Sequence, residues 1–249
     1  RHLNLAKEFS KISDEVFFIS EVKTLFPGEV DDFFNKSAIM QSYFKNVIHS
    51  EKKLFKNIFF LPSNVKSFAI KSGDLNKLNT LHLKEALNSD LYIVFGSSFI
   101  KNWLADFLIE KKAINIHMGI SPYYRGSSCN FWALYDNNPS FVGATIHFLS
   151  KGLDSGDILF HCLPKLKELD SPFDFTMRSV LVAQKSLINS VRNKKIFNFK
   201  KVKQNKDKEI RYSINKDFTD EIASEFLQRN IQLNSMRFSY PELINPIFE

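Results

Sequence analysis

The chain has 249 residues, of which 44% are hydrophobic and 24% charged. These values indicate one globular domain with a small appendage and disfavour a disordered, collagen-like or coiled-coil protein. No apolar run approaches the roughly 20 residues of a membrane-spanning helix. The two cysteines, Cys129 and Cys162, are too few for a disulfide framework, so the expected location is the cytoplasm, with no membrane association.

The formal net charge of +7 comes from one segment, 192–211, which holds nine Lys and Arg residues against two acidic ones. Such a cluster can bind the phosphates of a nucleic acid or a nucleotide. It can equally be a solvated connector, because it is polar and lies between two predicted helices. No zinc finger, RNA-binding aromatic motif or long basic helix accompanies it, so a nucleic acid partner is not expected.

The first half of the chain alternates between apolar runs of strand length and apolar patterns of helical spacing. DLYIVF (90–95), for example, is a continuous apolar run of the kind that a parallel sheet buries on both faces. Alternation of this kind predicts right-handed βαβ units and therefore an α/β fold, a Rossmann-like, mostly parallel sheet flanked by helices. In chain order, the pattern predicts a helix over 1–12, strand 15–20, a helix over 31–55, strand 65–71, a second helix after the turn at 72–76, strand 90–95, a helix through 103–109 and strand 113–117.

The second half of the chain predicts two consecutive strands, a long helix, and then a short strand and helix. Asp217 or Thr219 is the predicted N-cap of the last helix. In order, these elements are strands over 141–149 and 157–163, a helix over 173–191, and a last helix within 213–230.

These elements divide into a catalytic domain over 1–195 and a small C-terminal extension over 196–249. A sheet of this kind normally begins with a strand, whereas this chain starts inside a predicted helix. We therefore expect a first strand and its loop upstream of Arg1.

The densest group of polar and special residues is NIHMGISPYYRGSSCN (115–130). Asn115 and His117 are two positions apart at the carboxyl end of a predicted strand, so their side chains point to the same side. Ligands of open α/β sheets bind at the carboxyl ends of the strands. Asn donates two hydrogen bonds from its amide, and His acts as an acid or base near neutral pH. Cys129 has no base next to it and is expected to be inert.

An Asn-x-His pair alone is a weak signal, and other chemistries fit less well. A metal site is not expected, because Asn is a rare ligand and no second His lies at a useful spacing. The glycines match neither a phosphate-binding loop nor a dinucleotide fingerprint. A serine-hydrolase elbow is also missing. Further along, GLDSGDI (152–158) is a predicted turn that carries Asp154 and Asp157.

Together, N-x-H, SP-x-YRG and GLD-x-GDI resemble the formyltransferases that use N10-formyltetrahydrofolate. That family includes methionyl-tRNA formyltransferase, glycinamide ribonucleotide formyltransferase and the formyltransferases of nucleotide-linked amino sugars. The resemblance extends from about Asp90 to His161 and is vaguer over 65–89. It implies the formyltransferase fold and places the catalytic residues at Asn115, His117 and Asp154.

The resemblance also implies which residues bind the formyl donor and the acceptor amine. N10-formyltetrahydrofolate would be held by backbone groups after the strand at 90–95 and in the loop before Asp154, without a metal ion. The implied donor-binding residues are Gly96, Ser97, Ser98, Phe99, Ile100, Lys151, Gly152 and Leu153. The acceptor-binding candidates are Tyr124, Arg125 and His147.

The chemistry of formyl transfer explains this residue set. When a neutral amine attacks the formyl carbon, the carbonyl oxygen becomes an oxyanion, which pre-aimed donors such as the Asn115 amide and a protonated His117 stabilise. Asp154 would hold His117 in its charged form and could move a proton from the amine through an ordered water.

The expected acceptor is a nucleotide-linked amino sugar, such as a dTDP-linked 3- or 4-amino-deoxyhexose, used for surface polysaccharide (lipopolysaccharide) synthesis. The short extension after the basic stretch has too few predicted strands for the OB-type barrel that resembling tRNA enzymes carry. By the same resemblance, we expect a homodimer formed through the C-terminal region. Three alternatives stay open: formylation of another amine such as methionyl-tRNA, a hydrolase that releases formate, and an inactive folate- or nucleotide-binding module.

Overall fold

Helices and strands alternate along the chain in a computed structural model, which describes residues 1–23 and 33–249. The start of the helix predicted over 31–55 lies outside these residues. In chain order, the described elements are α1 (His2–Phe9), β1 (Val16–Val22), α2 (Ala38–Phe55), β2 (Val65–Lys71), β3 (Ile93–Phe95), α3 (Asn102–Glu110), β4 (Ile114–His117), β5 (Tyr124–Gly126), α4 (Cys129–Tyr135), β6 (Ala144–Phe148), β7 (Ile158–Leu163), α5 (Pro172–Arg192), β8 (Arg211–Ser213), α6 (Asp220–Gln228) and β9 (Ile247–Phe248).

A five-stranded sheet with the order β3-β4-β6-β7-β9 lies at the centre of the described residues. Two parallel pairs, β1-β2 and β5-β8, stand beside it. Four of the six strand pairs among the described residues are parallel, and the two antiparallel pairs are those that β6 makes with β4 and β7. The predicted α/β fold is therefore confirmed, with β6 making the central sheet mixed.

The long helix α5 covers one face of β6 and β7. Its start is well defined, because Ser171 and Asp174 form a capping box and Pro172 occupies the first helical position. Leu187, Val182 and Ala183 of α5 are buried against Ile146 of β6 and its neighbours. This apolar layer supports the strands from behind and leaves their other face free for polar side chains.

One predicted element is wrong. The segment after 72–76 forms no α-helix but only short 3-10 turns at Asp74–Lys77 and Ala86–Asn88. The side chain of Asn79 accepts hydrogen bonds from the backbone N–H groups of Leu81 and His82. A local bond of this kind competes with helix formation. Leu78 and Leu83 are buried in the core, whereas Leu81 is exposed.

The C-terminal segment packs on the rest of the protein through strand pairs and a shared core. β8 pairs with β5 and β9 pairs with β7, and Ala223 and Phe226 of α6 lie in one apolar cluster with Tyr124 and Trp132. Thr219 is the N-cap of α6, accepting a 3.4 Å bond from the backbone of Ile222. The boundary at 195 and the upstream strand stay predictions. Among the described helices, none combines the length and apolar character needed to cross a membrane.

Candidate active site

Strand register brings the Asn-x-His pair against β6. Asn115 lies directly opposite His147, and His117 lies opposite Thr145. Residues that face each other across an antiparallel pair share one face of the sheet, so four polar side chains form a patch there. A register irregularity in the β6-β7 pairing falls between Ile146 and His147, and such irregularities commonly re-aim a side chain next to an active site.

Asp154 reaches this patch from the loop between β6 and β7. One oxygen, Oδ2, lies 3.2 Å from His117 Nδ1. The other, Oδ1, accepts a 3.2 Å hydrogen bond from Asn115 Nδ2 and lies 3.8 Å from His147 Nε2. The three predicted catalytic residues are therefore in contact, although Asp154 follows Asn115 by 39 positions.

The surroundings of His117 favour its doubly protonated form. Nδ1 faces the Asp154 carboxylate, and Nε2 lies 3.1 Å from the carbonyl oxygen of Tyr124, so both ring nitrogens face acceptors. Burial opposes the charge, but the Asp154 charge, together with Cys129 and the hydrogen bonds of both groups, raises the pKa of His117 well above its ordinary value. Burial likewise works against ionised Asp154, yet the charge of His117 and its hydrogen bond hold the pKa of this carboxyl well below its usual range.

His147 fixes the amide of Asn115. Its Nδ1 lies 2.8 Å from the carbonyl oxygen of Phe148 and therefore carries the proton, which leaves Nε2 as an acceptor. Asn115 Nδ2 lies 3.0 Å from that Nε2. Asn115 thus donates its two amide hydrogens to His147 and Asp154, and any ligand carbonyl that it binds must take over one of these bonds.

Thr145 holds the loop that follows β4. Its hydroxyl donates to the carbonyl oxygen of Gly119 at 2.6 Å and accepts from the backbone N–H of Ser121 at 2.8 Å. Gly119 itself has no room for a side chain, because a Cβ there would lie 2.5 Å from the Cβ of Cys129 and 2.8 Å from His117 Nε2. The loop therefore closes over His117 from one side.

Two side chains hold the backbone around Asp154 from the other side. Arg125 donates to the carbonyl oxygen of Leu153 and to Glu209, both at 2.8 Å. Gln204 donates to the carbonyl oxygens of Asp154 at 2.8 Å and Gly156 at 2.7 Å. Arg125, predicted to bind the acceptor, thus braces the Asp154 loop.

The loop that contains the first set of predicted donor-binding residues is fastened to the β1-β2 pair. The Glu21 carboxylate accepts hydrogen bonds from the backbone N–H of Ser98 at 2.6 Å and from its hydroxyl at 2.8 Å. Asn76 donates to the carbonyl oxygen of Phe99 at 2.8 Å and accepts from the backbone N–H of Lys101 at 2.6 Å. These bonds fix the course of the chain between Gly96 and Ile100.

Some backbone donors of both predicted donor-binding segments stay accessible. Ser97, Lys151 and Gly152 are exposed, and their backbone N–H groups donate to no other residue within the described ranges. Lys151 also pairs with Asp106 of α3 at 3.0 Å, which links the second segment to the helix that follows the first. The side chain of Leu153 is exposed as well.

The side chain of Tyr124 faces away from the patch. It is fully buried, and its hydroxyl donates to Asp136 at 3.1 Å and accepts from Asn138 at 2.8 Å. Its carbonyl oxygen faces His117 instead. Contacts of Tyr124, Arg125 and His147 with an acceptor stay predictions.

Sequence reasoning missed two residues of this site, Thr145 and Gln204, and misjudged a third, Cys129. The expectation that Cys129 has no adjacent base is wrong, because its side chain interacts with the His117 imidazole. Thr145 could have been found, since it precedes His147 by two positions on a predicted strand and so shares its face. Gln204 carries no such signal, because it stands in the lysine-rich stretch.

The basic stretch 192–211 is only partly neutralised by ion pairs. Lys208 pairs with Glu242, and Arg211 pairs with Asp136 at 2.7 Å while its guanidinium lies 4.5 Å from the centre of the Trp132 ring. Most other lysines of the stretch are exposed. Within 1–23 and 33–249, no group of three or more His, Cys, Asp or Glu residues is arranged to hold a metal ion.

The fold and the patch define an α/β protein with a charged imidazole, a carboxylate and an amide at one position above a sheet. The family described as Formyl transferase matches residues 50–191, which is more than half of the chain. The chain belongs to the formyl transferase family, as the sequence motifs predicted.

Individual relatives agree with this assignment. Methionyl-tRNA formyltransferase of Borreliella afzelii (strain PKo) is 33% identical over 127 residues, which are 50% of this chain and 39% of that protein. The corresponding protein of Prochlorococcus marinus (strain MIT 9515) is 24% identical over 180 residues, 68% of this chain and 52% of that protein. The chain thus spans about half or less of the length of these relatives.

A solved structure shares the fold. The formyltransferase PseJ from Anoxybacillus kamchatkensis, in complex with UDP-4,6-dideoxy-4-formamido-L-AltNAc and tetrahydrofolate, matches with a TM-score of 0.50 at 18% sequence identity. The match covers 82% of this chain and 87% of that chain.

Proposed function

We propose that this protein transfers a formyl group from N10-formyltetrahydrofolate to the primary amine of a nucleotide-linked amino sugar. One observation carries the proposal: a single carboxylate, Asp154, contacts both the Asn115 amide and a His117 ring whose two nitrogens face acceptors. Such a cluster supplies hydrogen-bond donors for a developing oxyanion and a proton for a leaving nitrogen, which are the two requirements of acyl transfer to an amine.

When bound, N10-formyltetrahydrofolate supplies the formyl carbon that the acceptor amine attacks. Asn115 then moves one amide hydrogen from His147 or Asp154 to the formyl oxygen. Asp154 stays ionised and keeps His117 protonated, so that His117 can donate a proton to the nitrogen that departs. The proton of the attacking amine passes through a water molecule beside Asp154 to His117, after that ring has protonated the departing nitrogen, so the carboxylate keeps its charge throughout.

The segments Gly96–Ile100 and Lys151–Leu153 fit the formyl donor in this proposal. A folate ring presents several hydrogen-bond acceptors and donors, and the exposed backbone N–H groups of Ser97, Lys151 and Gly152 are available to it. The bonds from Glu21 and Asn76 keep the first segment in place before the donor arrives, which reduces the entropy that binding must remove.

Two molecules are candidates for the acceptor of the formyl group, and we propose the nucleotide-linked amino sugar. The motif stretch from Ile116 to His161 resembles the branch found in surface-polysaccharide gene clusters, whose members formylate nucleotide-linked sugars. PseJ, which shares the fold, was solved in complex with a UDP-linked formamido sugar. Methionyl-tRNA is the second candidate, because the proteins that are 33% and 24% identical are methionyl-tRNA formyltransferases.

The proposal extends to the setting of the enzyme. We place it in the cytoplasm, where the free, buried thiols of Cys129 and Cys162 stay reduced, and in the synthesis of surface polysaccharide. We also propose a homodimer through the C-terminal region, which light scattering combined with gel filtration tests directly: a monomer mass would contradict it.

The deciding experiment follows the release of tetrahydrofolate from N10-formyltetrahydrofolate in the presence of different acceptors. The panel holds dTDP- and UDP-linked 3- and 4-amino sugars, methionyl-tRNA, and no acceptor, each with the wild-type protein and with Asp154→Asn. Release that depends on one amino sugar and disappears in Asp154→Asn supports the proposal and identifies the acceptor.

The other outcomes each overturn a part of the proposal. Release that depends on methionyl-tRNA replaces the sugar by the second candidate. Release without any acceptor, with formate as the product, identifies a hydrolase. Donor binding without release under any condition identifies an inactive binding module.

A further inference from the structure

Gln204 lies in the lysine-rich stretch, yet its side chain points inward. Residues around Val202 run antiparallel to the start of β7, where Val202 and Ile158 exchange two backbone hydrogen bonds of 2.9 and 2.8 Å. Extended backbone sends alternate side chains to opposite sides. Accordingly, Lys201 and Lys203 are exposed, whereas Val202 and Gln204 are half-buried.

The Gln204 side chain donates both of its amide hydrogens to the loop that carries Asp154. Nε2 donates to the carbonyl oxygen of Asp154 at 2.8 Å and to that of Gly156 at 2.7 Å. Oε1 is buried and has no hydrogen-bond partner in the described part of the chain. The two carbonyl oxygens dictate the orientation of the amide, because turning it over would bring Oε1 against both of them.

The backbone that Gln204 holds is not one that the chain adopts readily. Asp154 has a φ of +46°, in the left-handed region that residues with a Cβ rarely occupy. Such a conformation persists only where surrounding contacts over-determine it. Gly156 fits tightly next to it, because a Cβ there would lie 1.7 Å from the carbonyl oxygen of Phe148. Hydrogen bonds therefore hold the loop before Asp154, where Arg125 bonds the Leu153 carbonyl oxygen, and after it, where Gln204 bonds the Gly156 carbonyl oxygen.

We propose that Gln204 is a positioning residue, which grips the carbonyl oxygens of Asp154 and Gly156 and thereby aims the Asp154 carboxylate at His117 and Asn115. Nothing in the amide of Gln204 touches the carboxylate itself, so its effect passes through the backbone. As far as turnover is concerned, the inference rests on the proposed formyl transfer. Its effect on the protonation of His117 does not depend on any activity.

The test uses two variants that remove the donor in different ways. Gln204→Glu keeps the length and shape of the side chain but presents a carboxylate to the two carbonyl oxygens. Gln204→Leu removes the hydrogen bonds without adding charge. Gln184→Leu in α5 is the matched control, because the Gln184 amide is also buried and bonded, to the carbonyl oxygen of Arg1 at 2.9 Å and to Asn4 at 2.8 Å.

The first readout is the pH titration of the His117 ring by NMR, assigned by comparison with His117→Asn. We expect Gln204→Leu to lower the pKa of His117 by about one unit or more, because a displaced Asp154 carboxylate no longer stabilises the charged ring. Gln204→Glu adds an anion of its own, so its effect is measured by kcat alone. Gln184→Leu is expected to lower the melting temperature and leave the titration unchanged. Wild-type titration of His117 in Gln204→Leu would overturn the inference.

The second readout is steady-state formyl transfer. Misplacement of a reacting group commonly lowers a rate by about 10- to 100-fold, and we expect kcat to fall by that factor in both Gln204 variants, with the KM for the formyl donor within about threefold of wild type. A kcat within twofold of wild type in both variants would contradict the inference. If the wild-type protein transfers no formyl group, the proposed function fails, and the titration alone decides the role of Gln204.

Discussion

Two buried histidines lie in one row across three neighbouring strands. His117 on β4 and His161 on β7 both face Thr145 of β6, which lies between them. Their exposed fractions are 5% and 1%, and burial on its own would keep both rings neutral. Their charge states nevertheless differ.

The difference comes from the partners of the ring nitrogens. His117 faces two acceptors, the Asp154 carboxylate and the Tyr124 carbonyl oxygen. His161 donates from Nε2 to the carbonyl oxygen of Ser121 at 2.9 Å and accepts at Nδ1 from the backbone N–H of Ile244 at 2.9 Å. Burial, partly opposed by the Ser121 bond and reinforced by the charge of His117, lowers the pKa of His161 to about 4.

The charge state of a buried histidine thus depends on the partners of its two ring nitrogens and not on its depth. A donor at one nitrogen leaves no place for a second proton, so His161 stabilises the structure as a neutral ring. Acceptors at both ring nitrogens favour the second proton, so His117 is positively charged in the site and has a proton that it can donate.

Asp154→Asn is expected to have the largest effect on the difference in charge between the two histidines. The variant keeps the shape of the side chain and removes the charge that holds the second proton on His117. We expect the pKa of His117 to fall towards its ordinary range and kcat for formyl transfer to fall about 100-fold or more, since acid–base groups contribute on this scale. Single-turnover kinetics and NMR titration measure the two effects, and donor binding serves as the control. Near-wild-type turnover would refute the catalytic assignment.

Thr145→Val tests the residue between the two histidines. The substitution leaves the Gly119 carbonyl oxygen and the Ser121 N–H without their buried partner, and we expect the free energy of unfolding to fall by about 3 kcal/mol. Urea denaturation measures this loss. In the control, Thr176→Val, the lost bond is to the carbonyl oxygen of Phe173 within α5, and an effect below about 1 kcal/mol is expected. Equal losses in both variants would contradict the prediction.

His161→Gln tests the neutral state of His161 through the pH dependence of the free energy of unfolding. The folded pKa of about 4 lies below the unfolded value, so the unfolded state binds the proton first as pH falls, and this contribution to stability is lost between about pH 6.5 and 4. His117 acts in the opposite sense, because its raised pKa gives stability below about pH 6.5 that is lost as pH rises through the folded value.

The measurement is therefore a difference between two proteins. Between pH 7 and pH 5, we expect His161→Gln to lose about 2 kcal/mol less unfolding free energy than wild type does. Chemical denaturation at several pH values provides the numbers. An identical pH slope in both proteins would show that His161 has the same pKa in the folded and unfolded states, and would contradict the prediction.

Glu209→Gln should have the smallest effect. Arg125 keeps its bond to the Leu153 carbonyl oxygen, and the lost ion pair lies at the edge of the site, where Glu209 is 29% exposed. We expect a loss of less than about 1 kcal/mol in unfolding free energy and an unchanged His117 titration. A change in the pKa of His117 would contradict this prediction and show that Glu209 contributes to the charge state of the site.

Local pattern was enough for much of the site. The N-x-H spacing placed Asn115 and His117 on one face of a strand, and the motif around Asp154 identified the carboxylate that the fold brings to them. Alternation on β6 also contained the information for Thr145. The charged form of His117 was also predicted, through Asp154, and its pKa is raised. Its second acceptor, the Tyr124 carbonyl oxygen, is a backbone atom that no pattern of side chains reveals.

Other parts depended on tertiary contacts that the sequence does not encode locally. The segment after 72–76 is predicted as a helix, but the Asn79 side chain turns the backbone, so that Leu78 and Leu83 enter the core while Leu81 is exposed. The inward direction of Gln204 follows from one backbone bridge to Ile158 between residues 44 positions apart. A basic stretch viewed alone gives no reason to expect it.

The attachment of the β1-β2 pair has a consequence for how this protein opens. Within the described residues, no ladder of backbone hydrogen bonds joins this pair to the five-stranded sheet, so it is suited to unfold locally, ahead of the core. Glu21 and Asn76 nevertheless connect it to the chain between Gly96 and Ile100. Any ligand that settles on that chain shifts the opening equilibrium by mass action, and slower amide hydrogen exchange in β1 and β2 would report its arrival from outside the site.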